Sequence, residues 1–168
     1  VENRAGANGN IAGDYVAKSP GDGHTLLMSS GGTVSINPHL YPKMPFDPAK
    51  DLVPVAAAAR VLVFLEVNPA KVPVNDAKEF LAYLKKNPGK YSYASPGVGS
   101  PHHLAMELFK DRTNTFVVHV PYRGTAMAVQ DVIGGQVPMM VLDTAAGLPQ
   151  IKGGKVKALA VMSKKRIP

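Results

Sequence analysis

Apolar positions divide this sequence into short segments whose spacing predicts alternating helices and strands. After Asn8-Gly9-Asn10, apolar Ile11, Ala12, Tyr15 and Val16 share one face of a short helix that ends before Pro20. Pro20-Gly21-Asp22-Gly23 reads as a turn, and His24 to Met28 as a buried strand running into the polar, glycine-rich Ser29-Ser30-Gly31-Gly32-Thr33. Asn37 to Asp51 holds four prolines and reads as a long irregular connection. Leu52 to Val67 is a nearly continuous apolar run, broken by Pro54, Arg60 and Glu66; it predicts one long strand or two successive ones, crossing between lobes.

Beyond Pro69 the pattern becomes regular. Asn75 is placed to cap a helix reaching Lys86, with Phe80, Leu81 and Leu84 on one face and Asn87-Pro88-Gly89 as its stop. Strands are expected over 91–94, 115–120, 137–142 and 157–162, and helices over 101–112, 125–133 and 144–152. This strand–loop–helix order predicts parallel β/α units with right-handed crossovers. Four loops, 29–33, 95–100, 121–125 and 143–145, then gather at the carboxyl edge of a sheet, where open α/β folds bind ligands. Each opens a helix, so each offers unpaired N–H groups and a positive dipole end to an anion.

Composition narrows the chemistry. Hydrophobic residues make up 45% of the 168 and charged residues 18%, enough to fill a core. With no Trp and few aromatics, a base- or sugar-stacking surface is not expected. The formal charge of +7 is scattered, apart from Lys164-Lys165-Arg166, which favours a solvated basic surface over nucleic-acid binding. The absence of Cys excludes disulfides, thiolate metal sites and cysteine nucleophiles. No apolar run reaches the ~18 residues of a membrane span. The chain opens at Val1 without an initiator Met and closes at Arg166-Ile167-Pro168 without a terminal element, as a fragment or processed form would.

Within the loops, Ser95-Pro96-Gly97-Val98-Gly99-Ser100 is the sharpest candidate. Its glycines allow close backbone approach, and Ser100 can cap a helix or donate to a ligand. It lacks the third glycine of a dinucleotide fingerprint, and no Gly-Lys-Ser/Thr phosphate loop exists. Adjacent His102 and His103 diverge by ~100° on a helix, so they make a poor metal pair; His103 shares a face with Glu107 instead. Ser95 or Ser100 with His119 and Asp143 can be drawn as a hydrolase triad, but no Gly-x-Ser-x-Gly elbow accompanies them. Asp143 suits a helix cap and a ligand contact equally, and Arg123 suits a carboxylate partner or solvent.

Several motifs occur together in a familiar order. Val1-Glu2-Asn3-Arg4-Ala5-Gly6-Ala7-Asn8-Gly9, Asp22-Gly23-His24-Thr25-Leu26, Asn37-Pro38-His39-Leu40-Tyr41, Asn87-Pro88-Gly89-Lys90-Tyr91-Ser92-Tyr93-Ala94-Ser95, His119-Val120-Pro121-Tyr122-Arg123-Gly124 and Gly134-Gly135-Gln136-Val137 run along the whole chain. Together they resemble the Bug family, the TctC-like periplasmic solute-binding proteins of tripartite tricarboxylate transporters. The resemblance implies a periplasmic-binding-protein-like α/β fold, type II, with a parallel or mixed sheet flanked by helices. Two such lobes would close like a Venus flytrap on a small carboxylate. It further implies a non-enzymatic, monomeric periplasmic protein of a Gram-negative bacterium, without cofactor or metal, whose partners are the membrane components of the transporter. Carried over by motif, the cleft would be lined by Ser29, Gly31, Gly32, Thr33, Ser95, Gly97, Gly99, Ser100, His102, Tyr122, Gly124, Thr125 and Asp143. Family members are about two domains long. The first strand would therefore precede Val1, leaving 1–65 as a partial lobe, 66–160 as a complete one and 161–168 as the start of a return.

Overall fold

The computed structural model describes residues 1–166; Ile167 and Pro168, the end of the expected return segment, lie outside them. The organising element is a five-stranded sheet of β1 (Val63–Val67), β2 (Ser92–Ser95), β3 (Val118–Pro121), β4 (Met139–Asp143) and β5 (Lys157–Val161), in the order β3-β2-β4-β1-β5. β2 pairs in parallel with both β3 and β4, as the alternating pattern predicts. β1 inserts between β4 and β5 and runs antiparallel to both, so the sheet is mixed rather than uniformly parallel.

The helices are α1 (Asn10–Ala17), α2 (Asn37–Leu40), α3 (Pro48–Asp51), α4 (Ala77–Lys85), α5 (Pro101–Thr113), α6 (Thr125–Ile133) and α7 (Thr144–Lys152). Side chains alternate across the pleat, so each central strand feeds two cores. Leu65, Val67, Tyr93, Met139 and Val141 meet Phe80 and Leu84 of α4 and Met106 of α5 on one face. Ala94, Met140 and Leu142 meet Ala128, Val129 and Val132 of α6 on the other. β4 is buried on both faces at Met139 to Leu142, which is why it reads as an unbroken apolar run.

The amino-terminal third departs from the sequence reading. His24 to Met28 forms no strand, with Leu26 69% and Met28 86% exposed. The run from Leu52 makes a strand only over Val63–Val67; Val53 is 86% and Val55 79% exposed. Both stretches have strand-like composition, but a strand exists only where a neighbour takes up its N–H and C=O groups. Among the described residues no neighbour pairs with either.

The proline-rich connection is more ordered than expected. A π-helical turn over Gly32–Ile36 leads directly into α2, and Asp47 caps α3 by accepting from the Ala49 N–H at 3.0 Å. A knot of amides fastens α2 to the chain before α1. Asn37 is fully buried; its Nδ2 donates to Asn10 Oδ1 at 2.6 Å and Asn8 O at 3.1 Å, and its Oδ1 accepts from Asn8 Nδ2 at 2.8 Å.

The cap of α4 is Asp76, not Asn75. The Asp76 carboxylate accepts from Glu79 N at 2.8 Å, while Glu79 reaches back to the Asn75 N–H at 2.7 Å. Asp76→Ala is expected to cost about 1 kcal/mol in a urea unfolding experiment, and Asn75→Ala a few tenths at most, because only Asp76 serves the helix through its side chain.

Candidate functional site

The carboxyl ends of β2, β3 and β4 bring their loops to one edge. Register makes this local: Ser95 stands beside Pro121 in the ladder, Tyr122 N donates to Ser95 O at 2.9 Å, and Gly124 N donates to Pro96 O at 3.2 Å. Loops 95–100 and 121–125 are therefore neighbours. The loop over 29–33 packs against them, with Gly32 so close that an added Cβ would lie 3.3 Å from Gly99 O. Leu62 O accepts from Thr144 N at 3.1 Å, which ties the β4–α7 junction to the segment entering β1.

Two adjoining clefts open along this edge and share Asn8, Met28, Ser29, Ser30 and Pro96. The first, about 540 Å³, takes Thr33, Gly97, Tyr122 and Gly124 from the expected set. The second, about 930 Å³, takes Gly31, Ser100, His102, Thr125 and Asp143. Gly32, Ser95 and Gly99 line neither cleft and form the seam and underside instead. Arg4 and Arg123 place cationic groups along the first cleft; Asp143 gives the second its acidic group.

The hydroxyls and ring nitrogens have uneven freedom. Ser95 is fully buried, and its Oγ contacts His119 Nε2 at 2.6 Å and the Gly97 N–H at 3.2 Å. Ser100 caps α5 by accepting from His103 N at 3.2 Å, and Asp143 caps α7 by accepting from Ala146 N at 2.9 Å. The Thr33 hydroxyl donates to Asn8 O at 2.9 Å, and Tyr122 OH donates to Asp131 at 2.6 Å. Burial, with the Asp131 carboxylate beside it, raises the Tyr122 phenol to about 12, so it stays neutral. By contrast, α6 begins at Gly124 with no side-chain cap, which leaves its first N–H groups free for an acceptor in the cleft.

His102 stands apart. Both ring nitrogens are buried without a hydrogen-bond partner, and Nε2 lies 3.8 Å from Asp143 Oδ2. Burial lowers its pKa despite the nearby carboxylate, so the ring is neutral at pH 7, able to donate from one nitrogen and accept at the other.

The triad drawn from the sequence does not assemble. Ser95 and His119 touch, but Asp143 sits beside His102 and caps α7. His119 is stacked between Tyr93 and His103, and burial depresses its pKa to about 4. His103 and Glu107 do share a helix face, yet among the described residues no three His, Asp or Glu side chains converge as a metal set.

Sequence reasoning missed the contribution of the amino-terminal segment. Arg4, Gly6, Asn8, Gly9 and Tyr41 line the first cleft, and Ala56 to Ala59 line the second. The small-residue run Ala5-Gly6-Ala7-Asn8-Gly9 was the available signal: Gly6, Ala7, Asn8 and Gly9 all have positive φ, a path few other residues tolerate.

Comparison with known proteins places this geometry. The tripartite tricarboxylate transporter family receptor (TctC) model matches residues 1–168. A UPF0065 protein in the tcbD-tcbE intergenic region of Pseudomonas sp. strain P51 is 42% identical over 168 residues, 100% of this chain and 49% of that protein. The structure of R. palustris Rpa4515 with adipate superposes with a TM-score of 0.95 at 36% identity, over 98% of this chain and 55% of that one. The periplasmic binding protein BugD superposes with a TM-score of 0.88 at 35% identity, over 100% of this chain and 56% of that one. This chain thus spans about half the length of the relatives it matches. Along its described length it belongs to the tripartite tricarboxylate transporter receptor family, and its mixed α/β sheet is that of the family's periplasmic binding proteins.

Proposed function

We propose that this chain is part of a periplasmic receptor that captures a small carboxylate and presents it to the membrane components of a tripartite tricarboxylate transporter, without chemistry on the ligand. In this reading residues 66–160 form one lobe and 1–65 contribute part of the other, and the ligand is held where they meet. The receptor acts as a monomer and closes around its ligand by lobe movement.

The observation that carries the reading is the convergence of loops 95–100, 121–125 and 29–33 on one pair of clefts, where amides outnumber charges. The uncapped start of α6 suits a carboxylate oxygen, and Arg4 and Arg123 add long-range attraction for an anion. The adipate held by a relative 36% identical is a ligand of this chemistry. A hydrolytic role finds less support: among the described residues, the one serine whose hydroxyl meets a histidine ring is the fully buried Ser95, and no carboxylate hydrogen-bonds that ring.

Titration calorimetry against di- and tricarboxylates, acidic amino acids and aromatic acids tests the proposal. A defined 1:1 heat with at least one class is expected, adipate being the first probe. Silence across the whole panel from the full-length receptor would remove the proposal. Among the described residues no helix is long and apolar enough to cross a membrane.

A further inference from the structure

A column of stacked rings stands directly under loop 95–100. Tyr93, on β2, stacks on His119, on β3, with centroids 4.8 Å apart, and His119 stacks on His103, on α5, at 4.2 Å. The two histidines each hold one end of the loop. His119 Nε2 contacts Ser95 Oγ at 2.6 Å, and Ser95 Oγ in turn accepts from the Gly97 N–H at 3.2 Å. His103 Nδ1 accepts from the Gly99 N–H at 3.2 Å. The base of the column is also fixed: Tyr93 OH donates to Glu107 at 2.5 Å, and Lys110 donates to the same carboxylate at 2.7 Å.

These contacts fall at the two glycines whose backbone no ordinary residue would adopt, Gly97 at φ +152° and Gly99 at φ +81°. Such a loop does not hold its shape by local preference, so something outside it must. We propose that His103 and His119 are positioning residues for ligand capture, their ring nitrogens fixing loop 95–100 from beneath while its outer face meets the cleft. The inference rests on the receptor reading for its purpose, but not for its geometry.

The chemistry constrains the protonation state. Because Gly99 donates to it, Nδ1 of His103 must be unprotonated; a proton there would set two N–H groups against each other. Two rings stacked at 4.2 Å also disfavour a shared positive charge. The groups facing the column are Glu107 and Lys110 from α5 and Tyr93 from β2, and burial keeps both histidines below their ordinary pKa. The His103–Gly99 contact is therefore intact at neutral pH and lost on acidification.

Amide hydrogen exchange by NMR, together with adipate titration, decides the matter. His103→Phe keeps the stack and removes the acceptor, whereas His103→Asn returns an acceptor to the Nδ1 position. His119→Phe and His119→Gln form the matching pair for Nε2. His103→Phe is expected to speed exchange at Gly99 by about tenfold, the loss of that amide's own hydrogen bond, and His119→Phe to speed it at Gly97 by less, through the loosened Ser95 hydroxyl, with core amides of β4 unchanged. The Asn and Gln variants should restore protection. Acidification through the lowered His103 pKa should release Gly99 in the unsubstituted chain but not in His103→Asn. Adipate affinity should fall with loop protection in the Phe variants.

Unchanged exchange at Gly99 in His103→Phe, or Asn behaving like Phe, would overturn the inference. If His119→Phe fails to fold, the His103 pair decides alone. If the unsubstituted protein does not bind adipate or the rest of the panel, the receptor reading fails, while the exchange pattern still rules on the column.

Discussion

Glu66→Gln is expected to stabilise the protein at neutral and alkaline pH, by on the order of 3 kcal/mol at pH 7. Glu66 lies in β1 between β4 and β5, is fully buried, and neither carboxyl oxygen has a hydrogen-bond partner. Burial, aided by the negative charge of Asp143, raises its pKa to about 8. The folded state therefore keeps a proton that the unfolded chain, titrating near the ordinary value of 4.5, gives up. Below pH 4.5 both states are protonated and the group costs nothing extra by titration. Between 4.5 and 8 the unfolded state binds fewer protons, so stability falls by about 1.4 kcal/mol per pH unit. Above 8 the folded carboxyl also ionises and the loss levels off. Glutamine removes the titration while keeping the shape. Chemical unfolding of both proteins from pH 4 to 9 should give curves that coincide at the acid end and diverge as pH rises. Parallel curves would mean that Glu66 titrates in the folded state as it does in the unfolded chain.

Gly99→Ala is expected to lower stability by about 2–3 kcal/mol and to weaken ligand binding by tenfold or more. Two effects add. At φ +81° an L side chain costs about 1–2 kcal/mol whatever surrounds it. The surroundings then add more: a Cβ would lie 2.8 Å from Leu40 Cδ1, 3.2 Å from Asn37 Oδ1 and 3.3 Å from Asn8 Nδ2. Leu40 is the flexible, half-exposed end of α2 and can turn aside. Asn37 cannot, because its amide is fully buried and pinned to Asn8 and Asn10. The strain thus falls on the seam between the amino-terminal segment and loop 95–100, where the two clefts adjoin. Gly154→Ala is the control. Its φ is +67° with nothing within 4 Å of an added Cβ, so it carries the backbone cost alone. Equal losses for the two variants would show that the seam tolerates movement.

How much of this was legible in the sequence differed by region. α5, α6 and α7 were readable because a helix closes its hydrogen bonds within itself, and its caps, such as Ser100 and Asp143, lie three residues from the groups they serve. The loops after β2, β3 and β4 were readable through the glycines and small polar residues that end those strands, whereas the strand expected before loop 29–33 does not form. The receptor family was legible from ordered motifs along the whole chain, and the family match covers the same 168 residues.

What lay beyond the sequence was everything fixed by partners distant along the chain. Leu26 and Leu65 sit in similar apolar runs, yet only the second is in a strand, because β4 and β5 are there to bond it. The antiparallel insertion of β1, the burial of Glu66 without a partner, and the meeting of Ser95 with His119 were likewise decided in three dimensions. Local preference follows from side-chain shape and hydrogen bonds a few residues apart, and the sequence determined that much by itself. Pairing, register and electrostatic environment depend on which surfaces meet after the chain has folded back, and only the tertiary structure decided those.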